Sequence, residues 1–115
     1  MENAFPLGTP SDTMRAGESR LVLDPTLVPG LKDLEKENRI LVVFHFHKSE
    51  GFELLQHPRG DPDRPRRGVF ALRSPRRPNA IGIAEVDLLG IEGNVLRVRG
   101  LDAIHGSPIL DLKPA

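Results

Sequence analysis

The stretch Ala80 to Leu101, AIGIAEVDLLGIEGNVLRVRGL, decides the fold class. Two runs rich in Val, Ile and Leu, Ala80 to Leu89 and Asn94 to Leu101, flank a glycine-containing connection, the composition of a β-hairpin. A three-residue loop, Ile91-Glu92-Gly93, with Gly93 in the left-handed position, sets Leu88 opposite Leu96 and Val86 opposite Val98 on one face. The same register predicts Asp87 opposite Arg97 and Glu85 opposite Arg99 on the wet face.

Working outward, Arg39 to His47 (RILVVFHFH) is the next clear strand, rich in β-branched and aromatic residues. Ile40, Val42, Phe44 and Phe46 share one face, and Leu41, Val43, His45 and His47 share the other. Apolar residues on both faces predict a central strand, with its terminal histidines emerging where strand meets loop. Shorter strands are predicted at Arg20 to Asp24, Phe52 to His57, Gly68 to Arg73 and Ile109 to Leu112. Leu31 to Glu37 makes about two helical turns, too short to stand without tertiary support. Residues 1 to 18 carry many turn formers and no periodicity, so that segment reads as irregular. The expectation is an all-β fold, a small single β-barrel with short helical turns over residues 19 to 115, because closure removes exposed edges.

The 115 residues allow one domain, and 11 Gly with 11 Pro predict many turns. Absent cysteine excludes disulfides, thiolate nucleophiles and the usual zinc clusters. Neither G-x-G-x-x-G nor a Walker sequence occurs, which excludes a Rossmann cofactor domain. No apolar run approaches the roughly 18 residues that span a bilayer, so a cytoplasmic protein without a membrane partner is expected.

The 16 basic and 16 acidic groups cancel only on average. Residues 1 to 58 carry 6 basic and 9 acidic groups, residues 59 to 77 carry 7 and 2, and residues 78 to 115 carry 3 and 5. The seven cations of the middle stretch are all arginine: Arg59, Arg64, Arg66, Arg67, Arg73, Arg76 and Arg77. A planar guanidinium suits phosphate and carboxylate better than an ammonium, so this segment points to oxyanion binding rather than to a solvated basic loop.

Within it, Ser74-Pro75-Arg76-Arg77-Pro78-Asn79 is held extended by its two prolines, each restricting itself and the residue before it. Such a loop presents side chains without a large ordering cost on binding. Asn79 adds an amide that both donates and accepts, suited to a base edge or an amino-acid moiety. The tail, LDAIHGSPILDLKP, gathers Asp102, His105, Gly106, Ser107, Asp111 and Lys113, with Gly106-Ser107-Pro108 as a tight turn. His45 and His47 could ligate a metal only if His57 or His105 joined them, and no metal site is expected. Ser74 lacks a G-x-S-x-G elbow, so a serine nucleophile is not supported.

GVFALRSPRRPNAIG, from Gly68, and LDAIHGSPILDLKP, from Leu101, resemble the TsaA-like family, whose patterns are close to GVFATRSPxRPNPIG and LDxxDGTPxxDIKPY. VPGLKDLE, VVFHFHKSEG and HPRGDP upstream are similar to the same family, so the resemblance covers about Pro25 to Pro114. It implies a small β-barrel, a homodimer, S-adenosylmethionine as cofactor, and methylation of the N6 nitrogen of threonylcarbamoyl-adenosine beside the tRNA anticodon. The alternative is a non-catalytic S-adenosylmethionine- or RNA-binding protein on the same framework. By the resemblance, the cofactor site falls on His47, Lys48, Arg73, Leu88, Ile104, His105, Gly106 and Ser107. The substrate side falls on Arg64, Arg66, Arg67, Arg76 and Arg77, contacting the phosphates of the anticodon loop. Asn79 and Asp111 are the expected catalytic residues, and Asp111 and Lys113 match the family's DIKP.

Overall fold

The computed structural model describes residues 17–103 and 106–115, together with the backbone of residues 8–10. The expected hairpin is present as β6 (Ile81–Glu92) and β7 (Val95–Arg99), but its turn is the pair Gly93-Asn94, which places Glu92 opposite Val95. Gly93 takes φ +59° and Asn94 stays outside the positive region, the pattern of a type II′ turn. Asn94 Nδ2 donates to the Leu23 carbonyl at 2.7 Å and fixes the turn to the neighbouring strand.

The register therefore differs from the expected one. Ile91 faces Leu96, the ladder shifts across Leu89, and Leu88 then faces Val98 while Asp87 faces Arg99. A bulge of this kind adds one residue to one strand and exchanges its inward and outward faces, which lets Ile91 join Val86 and Leu88 at the core. The expected pairings of Asp87 with Arg97 and Glu85 with Arg99 are replaced. Arg39 lies 2.8 Å from Asp87 and 3.5 Å from Glu85, and Arg99 reaches Glu18 at 3.4 Å.

β3 (Arg39–His45) is central, paired with β6 on one side and with β8 (Ile109–Pro114) on the other. β6 changes partner at Asp87, since Ile81 to Asp87 pairs with β3 and Asp87 to Glu92 with β7. β2 (Glu18–Leu23) continues the sheet beyond β7, and β1 (Gly8–Pro10) pairs with β2. The order β1-β2-β7-β6-β3-β8 returns to its start through one residue pair, Gly8 with Ile109. The all-β class is as expected. Leu21, Leu23, Ile40, Val42, Phe44, Val86, Leu96, Val98 and Ile109 fill the interior, with Leu31 against them. Phe44 and Phe46 meet edge to face, centroids 5.1 Å apart, across Gly82. A Cβ on Gly82 would stand 2.6 Å from the Phe46 ring and 2.7 Å from the Phe44 ring.

Three local expectations are corrected. The segment read as irregular contains β1, and Glu18 already belongs to β2, because turn formers delimit a three-residue strand without forbidding it. Gly68 to Arg73 is not a strand: only Arg67–Gly68 (β5) pairs, with Leu55–Gln56 (β4), and Val69–Ala71 then forms a 3₁₀ turn. Val69 is buried and Phe70 is 78% exposed, so the alternation that looked like a strand is an anchor followed by an outward side chain. The short helix is two 3₁₀ turns, Pro25–Leu31 and Leu34–Lys36, separated by Asp33 at φ 72°. Pro29 lies inside the first and lacks the N–H that a regular helix needs. Asp24 caps that turn, accepting from the Thr26 N–H at 2.9 Å and the Thr26 hydroxyl at 2.7 Å.

Candidate nucleic-acid and cofactor site

The end of β3 gathers the two loops that carry most of the expected site. The His45 N–H donates to the Pro108 carbonyl at 2.9 Å and the Phe46 N–H to the Ala80 carbonyl at 2.8 Å. The Ser74–Asn79 loop and the Gly106-Ser107-Pro108 turn therefore arrive on either side of the β3 end. His47 and Lys48 follow in a turn closed by the Ser49 N–H on the Phe46 carbonyl at 3.0 Å. Lys48 is exposed, whereas His47 Nδ1 is buried with no hydrogen-bond partner among the described residues. Gly106 has φ 86° and Ser107 is buried.

The arginine loop is stitched to its neighbours. Ser49 Oγ donates to the Pro75 carbonyl at 2.9 Å, and Gln56 Nε2 donates to the Arg76 carbonyl at 2.5 Å. Arg77 Nη1 donates to the Leu72 carbonyl at 2.9 Å, so this guanidinium clasps its own loop. His57 Nδ1 lies 2.7 Å from the Arg64 carbonyl and holds the other end of the segment.

A cavity of about 1000 Å³ opens beside this framework, lined by Arg59, Arg64, Arg66, Arg67, Arg73 and Arg76, with Asp102 on its wall. Arg76 is 3.4 Å from Glu53; the other five have no carboxylate partner among the described residues. Unneutralised guanidinium groups in one concavity form a site for a polyanion. A smaller cavity of about 220 Å³ is lined by Asn79, His45, Phe52, Arg77, Ser49 and neighbouring backbone.

Other expected residues lie elsewhere. Asp111 borders an apolar cavity of about 480 Å³ with Leu31, Leu34 and Leu112, and so does not share a cavity with Asn79. Its carboxylate is 3.0 Å from Lys113 Nζ and accepts the Leu112 N–H at 2.9 Å. The Leu88 N–H donates to the Asn38 carbonyl, which puts Leu88 at the other end of β3, about 23 Å along the strand from His45. Ile104 and His105 lie outside the described residues. Among the described residues, no three metal-ligating side chains come together around His45 and His47.

Sequence reasoning missed Phe52, Ser49 and Gln56. Their signal was faint: an aromatic residue after Gly51, just past a strand end, and two polar residues whose partners are carbonyls more than ten residues away. Phe52 was assigned to a strand that turned out to hold only Leu55 and Gln56.

The model of the tRNA-methyltransferase O N-terminal domain matches residues 3–115. A probable S-adenosyl-L-methionine-binding protein of Pyrococcus abyssi is 41% identical over 97 residues, 84% of this chain and 52% of the relative. The human tRNA (adenine(37)-N6)-methyltransferase is 40% identical over 87 residues, 73% of this chain but 19% of that enzyme. The crystal structure of TrmO from Pseudomonas aeruginosa superposes with a TM-score of 0.78 at 28% identity, covering all of this chain and 56% of that one. The chain thus spans about half the length of the first of these relatives and of that crystal structure. With the family model matched almost from end to end, the chain belongs to the tRNA-methyltransferase O N-terminal domain family.

Proposed function

We propose that this chain transfers a methyl group from S-adenosylmethionine to the N6 nitrogen of threonylcarbamoyl-adenosine beside the anticodon of tRNA. The observation that carries the reading is the cavity with five arginines that have no carboxylate partner among the described residues, built against a braced loop at the end of β3. Relatives named as a tRNA methyltransferase and an S-adenosyl-L-methionine-binding protein support it.

The residues at the β3 end fit the cofactor. His47 Nδ1 is buried with no hydrogen-bond partner among the described residues, Arg73 is a cation for a carboxylate, and Gly106 and Ser107 bring backbone to the same strand end. When bound, S-adenosylmethionine supplies a methyl group activated by a sulfonium. Arg64, Arg66 and Arg67 hold phosphates, and Asn79 meets the base edge. The N6 nitrogen of a carbamoylated adenosine has a delocalised lone pair, so its proton leaves as the nitrogen–carbon bond forms. Asp102, which lines the arginine cavity, and Asp111, 3.0 Å from Lys113 Nζ, are the acidic candidates to take it, and neither lines the cavity of Asn79.

A homodimer belongs to the same reading. Leu88 and His47 lie at opposite ends of β3, so one ligand reaches both only if a second copy lends its Leu88 end. The work of such an enzyme lies in the cytoplasm, and among the described residues no helix is long and apolar enough to cross a membrane. Calorimetry with S-adenosylmethionine on wild type and Arg73→Ala tests the reading: wild type binds and the variant binds weakly. No heat from either protein would remove the cofactor assignment.

A further inference from the structure

The small cavity at Asn79 has a wall that the phosphate and cofactor contacts leave unused. Phe52 lines it, with 52% of the residue exposed. Among the described residues it has no aromatic ring partner, since the close ring pair is Phe44 with Phe46. Gly51, at φ +66°, turns the chain immediately before it. Asn79 also lines it, and its amide can both donate to and accept from a base edge. About 220 Å³ is ample for one purine ring system and too little for a nucleotide with its neighbours.

Two of the cavity's lining residues are held before any ligand arrives. Ser49 is held by the Pro75 carbonyl at 2.9 Å and Arg77 by the Leu72 carbonyl at 2.9 Å. A preformed slot with an aromatic side and an amide edge is the chemistry by which proteins hold an unstacked base. The arginines of the neighbouring loop favour a nucleic acid over a second copy of this chain as the occupant. A two-fold contact of this cavity with itself would oppose two segments that each carry 7 basic and 2 acidic groups between residues 59 and 77, unlike a contact that brings a second copy's Leu88 end to His47.

We infer that Phe52 is a positioning residue that stacks on a single extruded purine of an RNA loop, whose edge Asn79 reads. The inference rests on the proposed tRNA reading and adds to it the pocket that takes the base.

The test uses two RNA hairpins, one with an unpaired adenosine in its loop and one with that adenosine replaced by an abasic ribose. Wild type should prefer the first by about 5- to 150-fold, the range one stacked base supplies. Phe52→Ala and Phe52→Leu should lose the preference, and Phe52→Trp should keep it, which separates stacking from apolar burial. Phe70→Ala removes an even more exposed aromatic ring outside this cavity and should leave the preference intact. Thermal melting checks that each variant folds. A preference retained by Phe52→Ala, or lost equally in Phe70→Ala, overturns the inference. So does a change in oligomeric state with unchanged RNA binding, which would assign the ring to a protein interface. Wild type that binds both hairpins alike overturns the base pocket but spares the arginine site; wild type that binds neither overturns the tRNA reading itself.

Discussion

Ser49 and Pro75, 26 residues apart in sequence, are joined by a 2.9 Å hydrogen bond from the serine hydroxyl to the proline carbonyl. Pro75 lacks an N–H and Pro78 restricts Arg77, so the loop between them has little secondary structure to hold it and depends on side-chain donors. Ser49→Ala removes one. Because the bond is exposed, stability should fall by no more than about 1.5 kcal/mol. Amide hydrogen exchange across residues 74 to 79 should nonetheless quicken several-fold, and unchanged protection would show that Gln56 and Arg77 suffice.

Arg66→Ala with Arg67→Ala should weaken binding of an anticodon stem-loop and flatten its salt dependence. Each lost phosphate contact lowers the slope of log affinity against log salt by about 0.7 to 0.9. Titrations at several salt concentrations give the slope directly, and an unchanged value would move the phosphate path off this loop.

Gly82→Ala should destabilise the fold by about 1 to 3 kcal/mol, the range for forcing an extra methyl into a packed interior. The new carbon would stand 2.6 Å from the Phe46 ring and 2.7 Å from the Phe44 ring, both held by their edge-to-face contact. Urea unfolding measures it, and a neutral result would mean that the rings swing aside freely.

Asp24 makes a pH signature. The Thr26 N–H, and then its hydroxyl, hold the Asp24 carboxyl below its ordinary value of 3.8. A lowered native value stabilises the fold while the carboxylate is charged, so the contribution is complete above 3.8 and fades as pH falls from there through the lowered value. Asp24→Asn keeps a capping oxygen but no charge. The stability difference between the two proteins should shrink below pH 3.8 and stay constant above it, as followed by urea midpoints.

The strands with two partners were legible. β3 announced itself by apolar residues on both faces, and the runs of β6 and β7 by composition. Their register was not, because a bulge at Leu89 and a turn at Gly93-Asn94 rather than Ile91-Glu92-Gly93 depend on what the rest of the sheet demands, here Asn94 on the Leu23 carbonyl and Arg39 between Glu85 and Asp87. Val69 and Phe70 misled for the converse reason: alternation marks which side chains face inward, not whether a partner strand exists. At the site, the charge of the arginine loop was plain from its segment count, and five of its residues share one cavity without a carboxylate partner among the described residues. That Arg77 serves its own loop, and that Asp111 and Asn79 border separate cavities, follows from long-range geometry that no local pattern encodes.

The single pair Gly8 with Ile109 has a consequence for handling the protein. Three residues of β1 cover the free side of β2 and meet β8. A variant with that strand removed would present two bare edges on one molecule, one donor of templates at each, and such a molecule can add to its own copies in both directions. It should form chains rather than pairs, with solubility falling steeply as concentration rises.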